Sequence, residues 1–137
     1  MSAQKDDYTP NEYVEVIAAT GDLNYEKILT ESSIMITDYS GVQFDFAYQR
    51  KPIIYYHPSL LPPHYDEGLF KYDTMGFGNI CQNEEELIEE ILLLMKNDFK
   101  IEKKFKKRAD DFFEYNDFNN CERIYDEVVK FLNDNKF

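Results

Sequence analysis

No apolar run in this sequence approaches the ~20 residues that cross a bilayer. The opening stretch, Met1 to Asp7, is polar and acidic, so it lacks the apolar core of a signal peptide. Cysteine is scarce: Cys81 and Cys121 stand far apart, without metal-type spacing, and read as free thiols in a reducing cytoplasm. Positive charge is also short. Fifteen Lys and Arg face 27 Asp and Glu, giving a formal charge of −12 that disfavours a long-range grip on nucleic acid. No carboxylate cluster is spaced to hold a metal, and no internal repeat is present.

What is present is apolar and aromatic. Eleven Tyr, 11 Phe and a 43% hydrophobic fraction exclude a disordered chain and supply the core of one domain in 137 residues. Residues 1–12 lack any period and read as a tail or linker. Tyr13 to Ala18 suits a strand. Asp22 is placed to cap a short helix that turns Leu23, Ile28 and Leu29 inward. Ile34 to Thr37 is nearly all apolar, as a strand buried on both faces would be.

A turn at Asp38-Tyr39-Ser40-Gly41 leads into a helix from about Val42 to Gln49, which Arg50-Lys51-Pro52 ends. Ile53 to Tyr56 is a third strand. His57 to Gly78 is rich in Pro, Gly, Asp and aromatics and reads as a long functional loop, with a short strand near Ile80-Cys81 after it. Three helices follow. Asn83 caps the first, with Leu87, Ile88, Ile91, Leu92 and Met95 at helical spacing. The second turns Phe105, Ala109, Phe112 and Phe113 inward. The third, about Asn120 to Leu132, carries Ile124, Val128 and Leu132 on one face. This order predicts an α/β fold: a Rossmann-like parallel sheet with flanking helices and right-handed crossovers.

The stretch from Ile34 to Phe46 carries the chemistry. In open parallel sheets ligands sit beyond the carboxyl ends of strands. A helix starting there offers free N–H groups and the positive end of its dipole, which suit a phosphate. Gly41 lets backbone approach an anion closely, Ser40 and Thr37 offer hydroxyls, and Asp38 could hold the turn by accepting backbone N–H bonds. A plain structural turn with Ser40 as N-cap fits the same residues. No Lys follows, so this is not a full P-loop.

The run ITDYSGVQFDFAYQRKPIIYY resembles the signature of the CDP-glycerol glycerophosphotransferase family, a Thr-Asp-Tyr-Ser-Ser turn, an apolar residue and Phe-Asp. HYDEGLFKYDTMGFGNI resembles the family's Tyr/Phe/Gly-rich loop, and DFFEYNDFNNCERIYDEV its closing helix, so the likeness covers roughly residues 13–132. It implies a GT-B type fold, with residues 13–137 as the C-terminal portion of the nucleotide-donor-binding domain. It implies transfer of glycerol phosphate, or ribitol phosphate, from a CDP-linked donor to a teichoic-acid or related cell-wall polymer. Thr37, Asp38, Ser40, Gly41 and Val42 would then lie at the donor diphosphate, with Asp45 and Arg123 as secondary candidates. The CDP-linked polyol is a substrate, so no cofactor and no metal is implied, and the catalytic residue is not assigned.

Two departures stand out: Gly41 replaces the second Ser, and Glu67, before Gly68, stands where the family often has Arg. His57-Pro58 follows the third strand and is not the family's upstream His-Pro motif in its usual place. The family's acceptor side and catalytic base belong to an N-terminal domain, so this chain is expected to be a donor-binding fragment, inactive alone. Its acceptor would be met through that other domain, at the inner face of the cell membrane.

Weaker signals remain. Lys100, Lys103, Lys104, Lys106, Lys107 and Arg108 could form a basic face for a peripheral membrane contact, or a solvated face balancing acids. Arg123 could reach the diphosphate or form a surface ion pair. His57 and His64 flank the loop without a discernible partner, and Phe70, Tyr72 and Phe77 could line a cleft for cytosine or pack beneath the loop. An uncovered sheet edge or apolar patch could drive self-association. Two other classes compete: another sugar-nucleotide GT-B transferase or epimerase reusing the same turn, and a non-catalytic α/β interaction module. The latter, if shaped like a response regulator, would need an acidic cluster at the strand ends. Asp38 stands alone there.

Overall fold

A computed structural model describes residues 9–17, 24–60 and 68–135. The chain divides into two compact units, Met1–Ser32 and Ser33–Phe137.

In the first unit, helix α1 (Tyr25–Glu31) is capped by Asn24, whose side chain accepts the Lys27 N–H at 2.9 Å. The cap is therefore Asn24, two residues later than the expected Asp22; Asp22 and Leu23 lie outside the described residues. Ile28 and Leu29 are half-buried, as their spacing predicts. The strand expected at Tyr13–Ala18 does not form across 13–17, and Ala18 is outside the described residues. A tight turn takes its place: Asn11 and Val14 exchange backbone bonds of 3.0 and 3.3 Å, and the Asn11 side chain accepts the Tyr13 N–H at 2.8 Å. Local Asx bonding has outcompeted β-propensity there.

The second unit is built on three parallel strands, β1 (Met35–Thr37), β2 (Ile53–Tyr56) and β3 (Gly78–Cys81), in the order β1-β2-β3. Met35 pairs with Ile53 and Thr37 with Tyr55, and Ile53 in turn pairs with Gly78. β2 is central, so Ile53, Ile54 and Tyr55 are buried. Alternation along it sends Ile54 to one face, where it meets Cys81 and Leu94, with Leu87, Ile91 and Phe99 around them. Tyr55 points to the other, where its hydroxyl meets Gln43 of helix α2 (Gln43–Tyr48). Fully burying side chains such as Phe46, Ile54 and Phe77 contributes about 1.5–3 kcal/mol each.

Helix α4 (Glu84–Lys96) begins at a reciprocal cap. Asn83 accepts the Glu86 N–H at 2.9 Å, and the Glu86 carboxylate accepts from the Asn83 side chain and the Gln82 N–H, each at 2.7 Å. Its inward stripe is Leu87, Ile91 and Leu94; Ile88, Leu92 and Met95 are exposed, because the sequence offers a wider apolar face than one sheet can cover. Helix α5 (Lys103–Phe112) buries Phe105 and Ala109 as expected, and leaves Phe112 partly exposed. Among the described residues of the long loop there is an unexpected turn of helix, α3 (Tyr72–Met75), fixed by Arg108, which donates to the carbonyls of Gly76 (2.8 Å) and Asp73 (3.0 Å). Helix α6 (Asn120–Asp134) buries no residue: Ile124, Val128 and Leu132 share a face as predicted, but that face is exposed. No helix among the described residues is long and apolar enough to cross a membrane.

Candidate functional site

The register Thr37↔Tyr55 sets the carboxyl ends of β1 and β2 side by side. Two residues on, Tyr39 and His57 are therefore neighbours. Their rings stack at 4.1 Å with 15° between planes, and His57 Nε2 lies 3.2 Å from the Asp38 carbonyl oxygen. Tyr72 stands edge-on to both rings, at 5.4 Å from Tyr39 and 5.1 Å from His57. No sequence motif marked His57 as part of this site. The signal was the pairing itself, because adjacent parallel strands in register bring residues equally far past their ends together. His64 lies outside the described residues.

Ser40 organises the turn. Its Oγ accepts the Val42 N–H at 3.3 Å, its carbonyl accepts the Gln43 N–H at 3.3 Å, and the Gly41 carbonyl accepts the Phe44 N–H at 3.2 Å. The Asp38 side chain is exposed and accepts no backbone N–H among the described residues, so the turn is held by Ser40 and not by Asp38. The free helix-end donors expected at 42–44 are thus taken by the turn itself. At the turn, the backbone N–H groups of Ser40 and Gly41, beside the Ser40 hydroxyl, donate to no group among the described residues. Gly41 is exposed, with nothing within 4 Å of the place a Cβ would occupy. A ligand can come directly onto the backbone there.

Behind the turn lies a buried polar relay. Gln43 is the buried polar residue of the core; its Oε1 accepts from the Tyr55 hydroxyl at 2.5 Å, and its Nε2 donates to the Tyr72 hydroxyl at 3.2 Å. The Tyr55 oxygen also accepts the Phe77 N–H at 3.1 Å. Burial pushes the Tyr55 phenol up to about 12, against the smaller downward pulls of the Phe77 bond and Arg108. This relay ties the first residue of α2 to β2 and to the 70–77 segment, so the turn rests on a fixed base. It was visible in sequence only as a polar residue sharing a helical face with Phe46 and Ala47, at i, i+3 and i+4.

Other candidates lie elsewhere in their contacts. Tyr72 and Phe77 are buried, and Phe70 is half-buried against Phe44, Phe77 and Phe112, so these three aromatics pack the domain and offer no open base platform. Asp45 is exposed on α2. Arg123 pairs with Asp117 at 2.7 and 3.1 Å, donates to Asn120 at 2.6 Å and lies 3.9 Å from the Tyr115 ring centre. Its guanidinium is held in that pair, which also keeps the Asp117 carboxyl below the usual range. The basic run is matched by acids: Lys104 by Glu102 (3.4 Å), Lys106 by Asp110 (2.7 Å) and Lys107 by Asp111 (2.6 Å). Glu67 lies outside the described residues. Cys81 is a buried core thiol and Cys121 an exposed one on α6. Among the described residues no group of three His, Cys, Asp or Glu side chains is arranged to hold a metal ion.

Comparison with known proteins agrees with the turn's family likeness. The chain is 40% identical to the minor teichoic acid biosynthesis protein GgaB of Bacillus subtilis (strain 168), over 95% of this chain and 14% of that protein. The teichoic acid poly(glycerol phosphate) polymerase of the same organism is 29% identical over 72% of this chain and 14% of its own length. Its teichoic acid glycerol-phosphate primase is 30% identical over 77% of this chain and 26% of its own length. The chain thus spans a minor share of these relatives. No solved structure is a significant match. The family profile described as CDP-glycerol:poly(glycerophosphate) glycerophosphotransferase matches residues 2–130, and the chain belongs to that family.

Proposed function

We propose that this chain is the donor-binding part of a GT-B type transferase that moves glycerol phosphate from CDP-glycerol onto a teichoic-acid polymer. The observation that carries the reading is the family match across residues 2–130, which includes the Thr37–Val42 turn at the carboxyl ends of two parallel strands. Such strand ends are where open α/β sheets receive ligands. In this reading the N–H groups of Ser40 and Gly41 and the Ser40 hydroxyl meet the donor diphosphate, Thr37 and Asp38 flank it, and Val42 fixes the Ser40 side chain through its N–H.

The chemistry asked of these groups is modest. An acceptor hydroxyl attacks the phosphorus that bears glycerol, the bond from that phosphorus to the bridging oxygen breaks, and CMP leaves with the electron pair. Donors fixed before the reaction stabilise the charge that builds on the leaving phosphate. The acceptor and the base that takes its proton come from outside residues 33–137, in keeping with the small share of its relatives that the chain spans. The enzyme works at the cytoplasmic side of the membrane, where CDP-linked donors are found.

Calorimetric titration of the chain with CDP-glycerol, CDP-ribitol and a UDP-sugar tests the reading. CDP-linked ligands should bind in preference to the UDP-sugar. Gly41→Ala puts a methyl group into open space and should weaken binding about tenfold, as should Ser40→Ala by removing one polar contact. Equal affinity for UDP and CDP ligands would favour another sugar-nucleotide transferase. Unchanged binding in both variants would remove the turn from the site.

A further inference from the structure

One face of α6 is an exposed apolar stripe. Ile124, Tyr125, Val128, Phe131 and Leu132 are each more than half exposed, and all but Tyr125 border, with Tyr115, a groove of about 900 Å³. At about 100° per residue these five side chains fall in one continuous sector of the helix. The first charged side chains met on either side of that sector are acids, Glu127 and Asp134 on one flank and Glu122 on the other. The bases of the helix lie further round than these acids: Arg123, at the edge of the groove, is held by Asp117, and Lys130 lies 3.9 Å from Glu127. Monomeric proteins rarely leave a contiguous stripe of this kind uncovered.

The charge pattern selects the occupant. Helices that lie on anionic membranes carry Lys and Arg along the flanks of their apolar face, the reverse of this arrangement. A second copy would set acid against acid on both flanks, between chains that each carry a net charge of −12. A helix with a basic rim meets complementary charge on both sides, as flanking charges choose partners in paired helices. We propose that the α6 stripe is a docking face for an amphipathic helix whose apolar side is flanked by Lys or Arg.

Two synthetic peptides of about 18 residues test this, with the same Leu/Ile stripe and either Lys or Glu along both flanks. Titrated into the full chain at about 0.15 M salt, the Lys-flanked peptide should bind at least tenfold more tightly than the Glu-flanked one. Val128→Asp, an exposed position whose change leaves the core intact, should abolish binding. Glu127→Lys with Asp134→Lys should narrow or invert the preference. Binding without charge preference, or binding that survives Val128→Asp, would overturn the proposal. So would a Val128-dependent dimer in sedimentation, or Val128-dependent capture by phosphatidylglycerol vesicles, either of which assigns the stripe to another occupant.

Discussion

Tyr55 shows how much of this fold turns on single atoms. One buried oxygen donates to Gln43 and accepts from Phe77, and so links β2, α2 and the segment leading to β3. Its phenol is neutral when protonated, and the folded chain holds that proton harder, with the pKa near 12 against an ordinary 10. Below about pH 10 both folded and unfolded chains are protonated, and the stabilisation is fully present. Between about 10 and 12 the unfolded chain ionises first, and about 2–3 kcal/mol is lost. Tyr55→Phe removes the titrating group and leaves the Gln43 oxygen and the Phe77 N–H without their partner, at a cost of about 1–3 kcal/mol near pH 8. The gap between native and variant in urea unfolding should therefore shrink by more than half between pH 8 and 11.5. A gap that stays constant would mean the phenol is not the buried titrating group described here.

At the scale of elements, close packing of β3 on β2 depends on an absent side chain. A methyl group on Gly78 would run into the carbonyl of Ile53, and one on Gly76 into that of Tyr72. Gly78→Ala should cost about 3 kcal/mol, the scale of overpacking in a closed core, whereas Gly41→Ala should be close to neutral because it faces open space. Denaturant midpoints of the two variants check the contrast, and equal midpoints would show that β3 can shift away from β2. Neither role follows from glycine as a letter; it follows from the register, which sequence alone leaves open. What sequence does specify strongly are the elements whose apolar side chains meet a partner. Ile34 to Thr37 and Ile53 to Tyr56 form strands one residue from their expected start or at it, and Asn83 caps α4 as read, but β1 is an edge strand with Ile36 exposed and not a strand buried on both faces. The reading fails where local bonds or missing partners decide. Asn11 folds the backbone of Tyr13 and Val14 into a turn, α3 is too short to show a period, and α6 has the pattern of a core helix without a surface to cover it. The candidate turn follows the same rule: its place at Ser40 and Gly41 was legible because turn chemistry is local, while His57 and Gln43 come to it through pairing and packing.

Over the whole chain, the charge of −12 and the proposed anionic ligand are in conflict. A lysine-rich phosphate site attracts its ligand by long-range charge, so its affinity falls as salt is added. At the Ser40–Gly41 turn the available donors are backbone N–H groups and a hydroxyl, and the nearby side chains are Tyr39, His57 and exposed Asp38. Attraction from such dipoles fades within a few ångströms and is little affected by screening. The repulsion between the acidic chain and a diphosphate acts over the Debye length, which falls from about 20 Å to about 7 Å as salt rises from about 0.02 to 0.2 M. Raising salt over that interval should therefore leave the affinity for CDP-glycerol unchanged or raise it about threefold. Calorimetry at four salt concentrations in that range, with the association rate followed by stopped flow, measures this directly. The gain should appear in the association rate, since screening eases approach without altering the contacts that hold the ligand. An affinity that drops steadily with salt would instead mean that Lys or Arg side chains grip the diphosphate, and that the turn's own donors are secondary.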